Sequence, residues 1–400
     1  MESISLKYFS LYKSFRVLVI ILIISIPIIY GVESDGLTFL TISIIGSSFI
    51  LLIKSTPLVK YISLSLFWLK SAIILYLYNS SNFYIFPDSY NYIKVLNDLI
   101  QMDTYNFQII TSAAQTLHVG FYYVYLFIYQ LFGNELSILL TNTFFITFSA
   151  ILFYKIFESR FSYKIAFVTF ISFSLSANMF LFGSFILKDP IVVFLIASSL
   201  YLYLNKKRTF LALIISLFLV SVRIYSGLSI IIAIIIDYLI FSSLSRRRKI
   251  LTSIGLLILT LVIVNIPITQ NYIGTSTRYL SEISLINVLV VIPISLIKFF
   301  FSPLPWNILD PSNIYRFLVI DSIAMLLLSF GLLLFIIKWL KFKELRQKYY
   351  IFLIPILIHA LALGIEYGGD STRQRSGVFI FLLATLIIGI FYKKHTKISG

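Results

Sequence analysis

Apolar stretches long enough to cross a bilayer recur along this chain, and the bases between them are sorted into clusters. A crossing helix needs about 20 apolar residues, fewer where neighbours shield it. Such stretches fall at 16–32, 37–53, 61–78, 137–154, 165–187, 190–205, 209–223, 225–242, 250–267, 317–337, 349–365 and 377–392. Of the 32 Lys and Arg residues, 23 sit in seven clusters: Lys7/Lys13/Arg16, Lys54/Lys60, Lys155/Arg160/Lys164, Lys206/Lys207/Arg208, Arg246/Arg247/Arg248/Lys249, Lys338/Lys341/Lys343/Arg346/Lys348 and Lys393/Lys394/Lys397. Short basic loops stay on the cytoplasmic side. Two further apolar stretches, 118–133 and 285–302, put every cluster inside if both are half-inserted or interfacial. The expectation is an all-α polytopic membrane protein, 1–400 as one transmembrane domain. It has about 12 spans plus one or two half-inserted helices, with both termini cytoplasmic.

Composition agrees with that class. Charged residues make up 12% of the chain and the mean hydropathy is +0.97, whereas a soluble domain is about a quarter charged. The net charge of +16 belongs to loop clusters beside apolar spans, which fits anionic lipid headgroups and excludes nucleic acid as the partner. With no cysteine, disulfides, thiolate zinc sites and thiol nucleophiles are excluded.

Nine bases lie outside the clusters: Lys70, Lys94, Lys188, Arg223, Arg278, Lys298, Arg316, Arg373 and Arg375. In the topology above, Asp88, Lys94, Lys188, Asp189, Arg223, Arg278, Arg373 and Arg375 reach one membrane face, the outer one. The large outer loop is 79–118, and 268–316 forms a second. Ionisable groups at membrane depth are costly unless paired or functional.

Each group has a chemical reading and a structural one. Asp88, in Phe86-Pro87-Asp88-Ser89-Tyr90-Asn91-Tyr92, follows a span and opens a helical pattern with one apolar face, suited to a membrane surface. A carboxylate there can orient or deprotonate a hydroxyl; equally, Pro-Asp-Ser starts helices. Tyr90 and Tyr92 are acceptor-side candidates. Lys188 can bind phosphate as a point charge, or it can form a self-neutralised helix start with Asp189 and Pro190. Arg223, followed by Tyr225, is embedded in apolar sequence, where its fork matches phosphate or pairs with Asp189 or Asp237. Arg373 and Arg375 stand in a short outer loop against the positive-inside preference. There they can neutralise a leaving diphosphate or pair with Glu366 and Asp370. Arg278 is a further substrate contact. His359 reads as a satisfied core histidine. No Gly-rich phosphate loop, HExxH helix or paired-acid metal site appears, so no cofactor is required and no metal ligand is assigned.

Four segments, Pro87-Asp88-Ser89-x-x-Tyr92, Val119-Gly120-Phe121-Tyr122-Tyr123 through Leu131-Phe132-Gly133, Gly183-Ser184 to Lys188-Asp189-Pro190, and Arg373-x-Arg375, occur in this order. Together they resemble the GT-C superfamily of membrane glycosyltransferases; the Lys188-Asp189, Pro303-Leu304-Pro305-Trp306 and Arg373-Gln374-Arg375 set is similar to the oligosaccharide repeat-unit (O-antigen) polymerases of Wzy type. The resemblance covers about residues 80–392. The acidic pair that some members carry in the first outer loop is absent, which leaves metal use open. The resemblance implies a bacterial inner-membrane enzyme acting on undecaprenyl-diphosphate-linked glycans at the periplasmic face, with Asp88 and Arg223 catalytic. It also implies diphosphate binding by Lys188, Arg373, Arg375 and Arg278, and a chain-length regulator as membrane partner. Two other readings stay open: transfer of a single sugar from a polyprenyl-phosphate donor, and a flippase for lipid-linked oligosaccharide.

Overall fold

A computed structural model describes residues 34–80, 86–102, 106–114, 119–241, 299–301, 318–367 and 373–393. Among them every regular element is helical. The expected segments at 16–32 and 250–267, and most of 285–302, lie outside the described residues.

Helices α1 (Ser34–Leu52) and α2 (Pro57–Asn79) form a hairpin, with Pro57 in the first turn of α2, where its missing N–H costs nothing. Amphipathic α3 (Pro87–Met102) and short α4 (Phe107–Ala114) follow, then α5 (Val119–Phe132) and α6 (Leu136–Arg160). Next come α7 (Tyr163–Ser174), α8 (Ala177–Ser184), α9 (Asp189–Leu204), α10 (Thr209–Val222) and α11 (Ile224–Phe241). The last described stretch holds α12 (Val319–Leu327), α13 (Ser329–Lys341), α14 (Lys343–Tyr367), a 3₁₀ turn (Gln374–Val378) and α15 (Phe379–Phe391). Helices α1, α2 and α6 are each long and apolar enough to cross a bilayer. Among the described residues there are five such units if α7–α8 and α12–α13 each count as one bent span.

The bent pairs depart from the sequence expectation of continuous spans at 165–187 and 317–337. Helices α7 and α8 meet at 52° and α12 and α13 at 48°. The first break is held by side chains. Ser176 Oγ accepts from Met179 N, and Asp321 accepts from Ser176 Oγ (2.6 Å), Ala177 N (3.0 Å) and Asn178 N (2.6 Å). Buried Lys70 donates to Ser174 O at 3.1 Å. An acid thus meets the positive start of α8 and a base the negative end of α7, the sense a helix dipole favours. The second break falls at Leu328, just before Ser329 and Gly331, residues that often accompany kinks.

The basic clusters that fall among the described residues share one end of the bundle. Arg160 Nη1 donates to Lys348 O (2.8 Å), Asn205 Nδ2 to Lys155 O (3.1 Å) and Lys338 Nζ to Gly389 O (2.6 Å). Lys164 lies 4.2 Å over the Phe391 ring, and Lys60 donates to Leu51 O at 2.6 Å. Helix α6, with 25 residues at about 1.5 Å each, reaches from this end to the opposite one.

Helix α5 has both its ends at that opposite end. Gly120 lies against Ser221 and Val222, where α10 finishes. Asn134 donates to Asp35 (2.9 Å) and Thr38 (3.0 Å), where α1 begins. This is the arrangement that a half-inserted 118–133 segment requires. The apolar face of α3, with Ile93, Leu96 and Leu99 buried, packs on α5 and α4. It therefore lies on protein, where the sequence pattern suggested a membrane surface. At the crossing of α13 and α15, Gly331 and Gly389 face each other so closely that a Cβ on either would strike the other helix's backbone. Small residues allow such approach where lipid gives helices little drive to associate.

Candidate functional site at the acidic–arginine cluster

The site lies at the end remote from the basic clusters, where four sequence-distant segments meet. One supplies Asp189, the first residue of α9. An extended stretch brings the chain to it: α8 ends at Ser184, and Asn142 of α6 donates to Phe185 O at 2.6 Å while accepting from the Tyr125 hydroxyl. Asn142 is fully buried, so this clamp fixes the approach to Lys188 and Asp189.

Arg223 is the single extended residue between α10 and α11 (φ −155°, ψ 105°). So short a turn brings the two helices together at once. Gly227 makes that possible, because a Cβ there would lie 2.5 Å from Val220 N. The turn aims the guanidinium at Asp189. Arg223 Nη2 donates to Asp189 Oδ1 at 2.8 Å, and both side chains are almost fully buried. Its Nη1 is buried without a hydrogen-bond partner among the described residues.

Arg373 caps the 3₁₀ turn and bridges two carboxylates. Its Nε donates to Asp189 Oδ2 at 2.8 Å, and its Nη1 donates to Asp88 Oδ2. Ser376 Oγ completes the shell around Asp189, donating to Oδ1 at 2.9 Å. Asp88 sits in the first turn of α3. The two carboxylates differ sharply: the Asp189 side chain is 1% exposed and that of Asp88 is 47% exposed.

Burial alone would lift the Asp189 carboxyl, but the Arg223 and Arg373 guanidiniums outweigh it and hold the group well below the usual carboxylate range. Burial, with the same two arginines close by, brings the Lys188 ammonium down to about 7 against the opposing pull of Asp189 and Asp88. Lys188 therefore stands within electrostatic reach of all four charged groups.

Tyr92 places its hydroxyl beside Arg373 and its ring 4.6 Å from Phe121 of α5. Phe121 in turn lies 4.4 Å from Tyr125. Beyond this aromatic run, a groove of about 530 Å³ opens between α1, α5 and α6, walled by Ile45, Tyr123, Phe127, Phe132, Phe144 and Phe145.

The structure thus joins Asp88, Asp189, Arg223, Arg373 and Tyr92, with Lys188 alongside. Tyr90 projects outward, 62% exposed. Tyr225 lies under the Arg223 guanidinium, 5.8 Å away, and edge-on to His359. Arg375 points elsewhere: fully buried, it donates to Phe299 O (2.7 Å) and Phe300 O (2.9 Å) and lies over Phe379. It secures packing at 299–301. Arg278 lies outside the described residues. Asp189 pairs with the two arginines, not with Lys188 as the self-neutralised reading had it.

His359 is a satisfied core residue. Its Nδ1 meets Pro355 O at 2.8 Å and its Nε2 meets Ser226 Oγ at 3.0 Å. Asn142 and Ser376 are the positioning residues that sequence reasoning missed. The one signal for Asn142 was a polar side chain inside a span. Among the described residues no group of three or more His, Asp and Glu is placed to hold a metal ion. Comparison of the chain with family models, curated proteins and solved structures gives no match.

Proposed function

We propose that the chain is a bacterial inner-membrane glycosyltransferase. It polymerises undecaprenyl-diphosphate-linked repeat units of a surface polysaccharide at the periplasmic face. The observation that carries this reading is the meeting of Asp88, Asp189, Arg223 and Arg373 at the end of the bundle remote from the basic clusters.

The chemistry assigned to the site is a displacement at an anomeric carbon. The acceptor hydroxyl oxygen bonds to that carbon, and the bond from carbon to diphosphate oxygen breaks. The electron pair leaves with the diphosphate, and the hydroxyl proton passes to Asp88. Arginine forks bind such an anion through charge-assisted bonds, and in a site shielded from water they lower the barrier to its departure. Arg373, Arg223 and Lys188 take this role, with Asp189 orienting both arginines. The apolar groove beside α5 suits the isoprenoid tail.

Lys70 and Asp321, buried away from the site, favour a second reading, a carrier for lipid-linked oligosaccharide. Each is already engaged by a helix terminus. The cavity beside Lys70 holds about 10 Å³, room for one water molecule and far too narrow for a sugar.

A glycan ladder tests the reading. The gene is deleted and complemented with wild type, Asp88→Asn, Arg223→Ala or Arg373→Ala at matched membrane levels. Surface glycan capped at one repeat unit, restored by wild type alone, is the expected result. A full ladder in the deletion strain refutes the polymerase. Complete loss of surface glycan moves the assignment to the carrier or to an earlier single-sugar transferase.

A further inference from the structure

We infer that the Asp88–Arg373 ion pair is a substrate-operated latch. A diphosphate takes the outer N–H edge of Arg373 and displaces Asp88, freeing that carboxylate to receive the acceptor's proton. This rests on the function proposed above and adds an order to it: donor first, then acceptor.

The two edges of Arg373 carry the argument. Its Nε is held by Asp189, which is buried and also held by Arg223 and Ser376. That side is a fixed mount. Its Nη1 is held by Asp88, whose side chain stands about half in solvent on the first turn of α3. That side can open. A guanidinium binds phosphate oxygens through the same planar N–H edge with which it binds a carboxylate, so Asp88 and a diphosphate compete for one donor position.

Charge balance points the same way. Asp88, Asp189, Arg223 and Arg373 together sum to zero, with Lys188 beside them in either state. Releasing Asp88 toward water leaves Asp189, Arg223 and Arg373 at a net +1, so an incoming diphosphate meets one more positive charge than it would with Asp88 in place. The helix need not move. Its buried face is packed by Ile93, Leu96 and Leu99, and Phe86 just before it lies 5.5 Å from Phe185. A turn of the Asp88 side chain is enough.

The latch makes Asp88 an inhibitor of diphosphate binding as well as a base. In the closed state that base is occupied, and no acceptor hydroxyl or water is activated before the donor is seated.

The test is the affinity of the full-length chain in lipid nanodiscs for inorganic pyrophosphate, measured calorimetrically. Asp88→Asn removes the competitor and is expected to tighten binding roughly two- to five-fold, the range for a partly exposed ion pair. Asp88→Glu keeps a carboxylate in reach and stays near wild type. Asp98→Asn removes a charge further along α3 and also stays near wild type. Asp88→Ser serves as the second competitor-free variant if the Asn protein does not stay monodisperse.

Unchanged or weaker binding in the competitor-free variant overturns the latch, as does equal tightening in Asp98→Asn, which reveals a general field effect. Absence of pyrophosphate binding in every variant overturns it too. The ladder separates the two claims. Tightening alongside a full ladder in the deletion strain leaves the latch and removes the polymerase; a capped ladder without tightening does the reverse.

Discussion

The two carboxylates on Arg373 should differ in what they contribute to stability by several kcal/mol. Asp189 is 1% exposed and accepts from Arg223 Nη2 (2.8 Å), Arg373 Nε (2.8 Å) and Ser376 Oγ (2.9 Å). Asp189→Asn leaves the buried Arg223 without its counter-charge. Removing one partner of a buried pair costs about 3–5 kcal/mol, chiefly because the other charge stays buried. That is between two and nearly four powers of ten in the unfolding constant. Asp88 is 47% exposed, so water screens its bridge, and Asp88→Asn should cost about 0–1 kcal/mol. Unfolding by SDS in mixed micelles, followed through Trp68, Trp306 and Trp339, gives both values. The double variant Asp189→Asn/Arg223→Gln should cost less than the two single changes added, by about 2 kcal/mol, since no lone charge is left at that position. Equal losses in Asp88→Asn and Asp189→Asn, or an Asp189→Asn protein within 1 kcal/mol of wild type, would refute the reasoning.

Other perturbations follow from the same structure. Gly389→Ala places a methyl on the Gly331 carbonyl across the α13–α15 crossing; the same titration should show a loss of about 1–3 kcal/mol. Pyrophosphate affinity should fall as pH rises through about 7, because the Lys188 ammonium, lowered by burial and the nearby arginines, is then lost; Lys188→Met should flatten that profile. The stability sign is opposite. The fold disfavours charged Lys188, so stability should rise as pH climbs from about 7 toward the ordinary lysine value. Asp321→Ala strips the acceptor from Ser176 Oγ, Ala177 N and Asn178 N and should cost at least about 2 kcal/mol. Lys70→Met loses one bond to Ser174 O and should cost less; the reverse order would show that the base, not the acid, holds the α7–α8 break.

Much of the site was legible because charge is scarce in this chain. An ionisable residue stranded between apolar segments is conspicuous, and Asp88, Lys188, Asp189, Arg223 and Arg373 were all found that way. Of their pairings, Arg223 with Asp189 was one of the alternatives the sequence offered; those of Arg373 with Asp189 and Asp88 were not legible, since they depend on which helix ends meet in space. Arg373 and Arg375 looked equivalent in sequence. They diverge because the turn that carries them is 3₁₀, with about three residues per circuit. Residues two apart then point about 120° away from each other, one into the network and one toward Phe299 and Phe300. The breaks at Ser174–Ala177 and Leu328 also escaped notice. No proline marks them, and the side chains that hold the first, Lys70 and Asp321, lie 104 and 145 residues away in sequence. The sequence offered a half-inserted or interfacial 118–133 only as a parity argument among the basic clusters; the contacts of Gly120 and Asn134 place both ends of α5 at one end of the described bundle.

The charged network also has a schedule. Asp189 and Arg223 are 34 residues apart, Asp189 and Arg373 are 184, and Asp88 and Arg373 are 285. At roughly 5–20 residues per second of synthesis, Arg223 follows Asp189 out of the ribosome within about 2–7 s. Arg373 arrives some 10–40 s after Asp189, ahead of the last described helix. For that interval the nascent protein holds one ion pair closed and Asp88 without its arginine. A chain that stalls or is cut between residues 223 and 373 stays in that state, with the Asp189–Arg223 pair formed and the Asp88 carboxylate lacking its arginine.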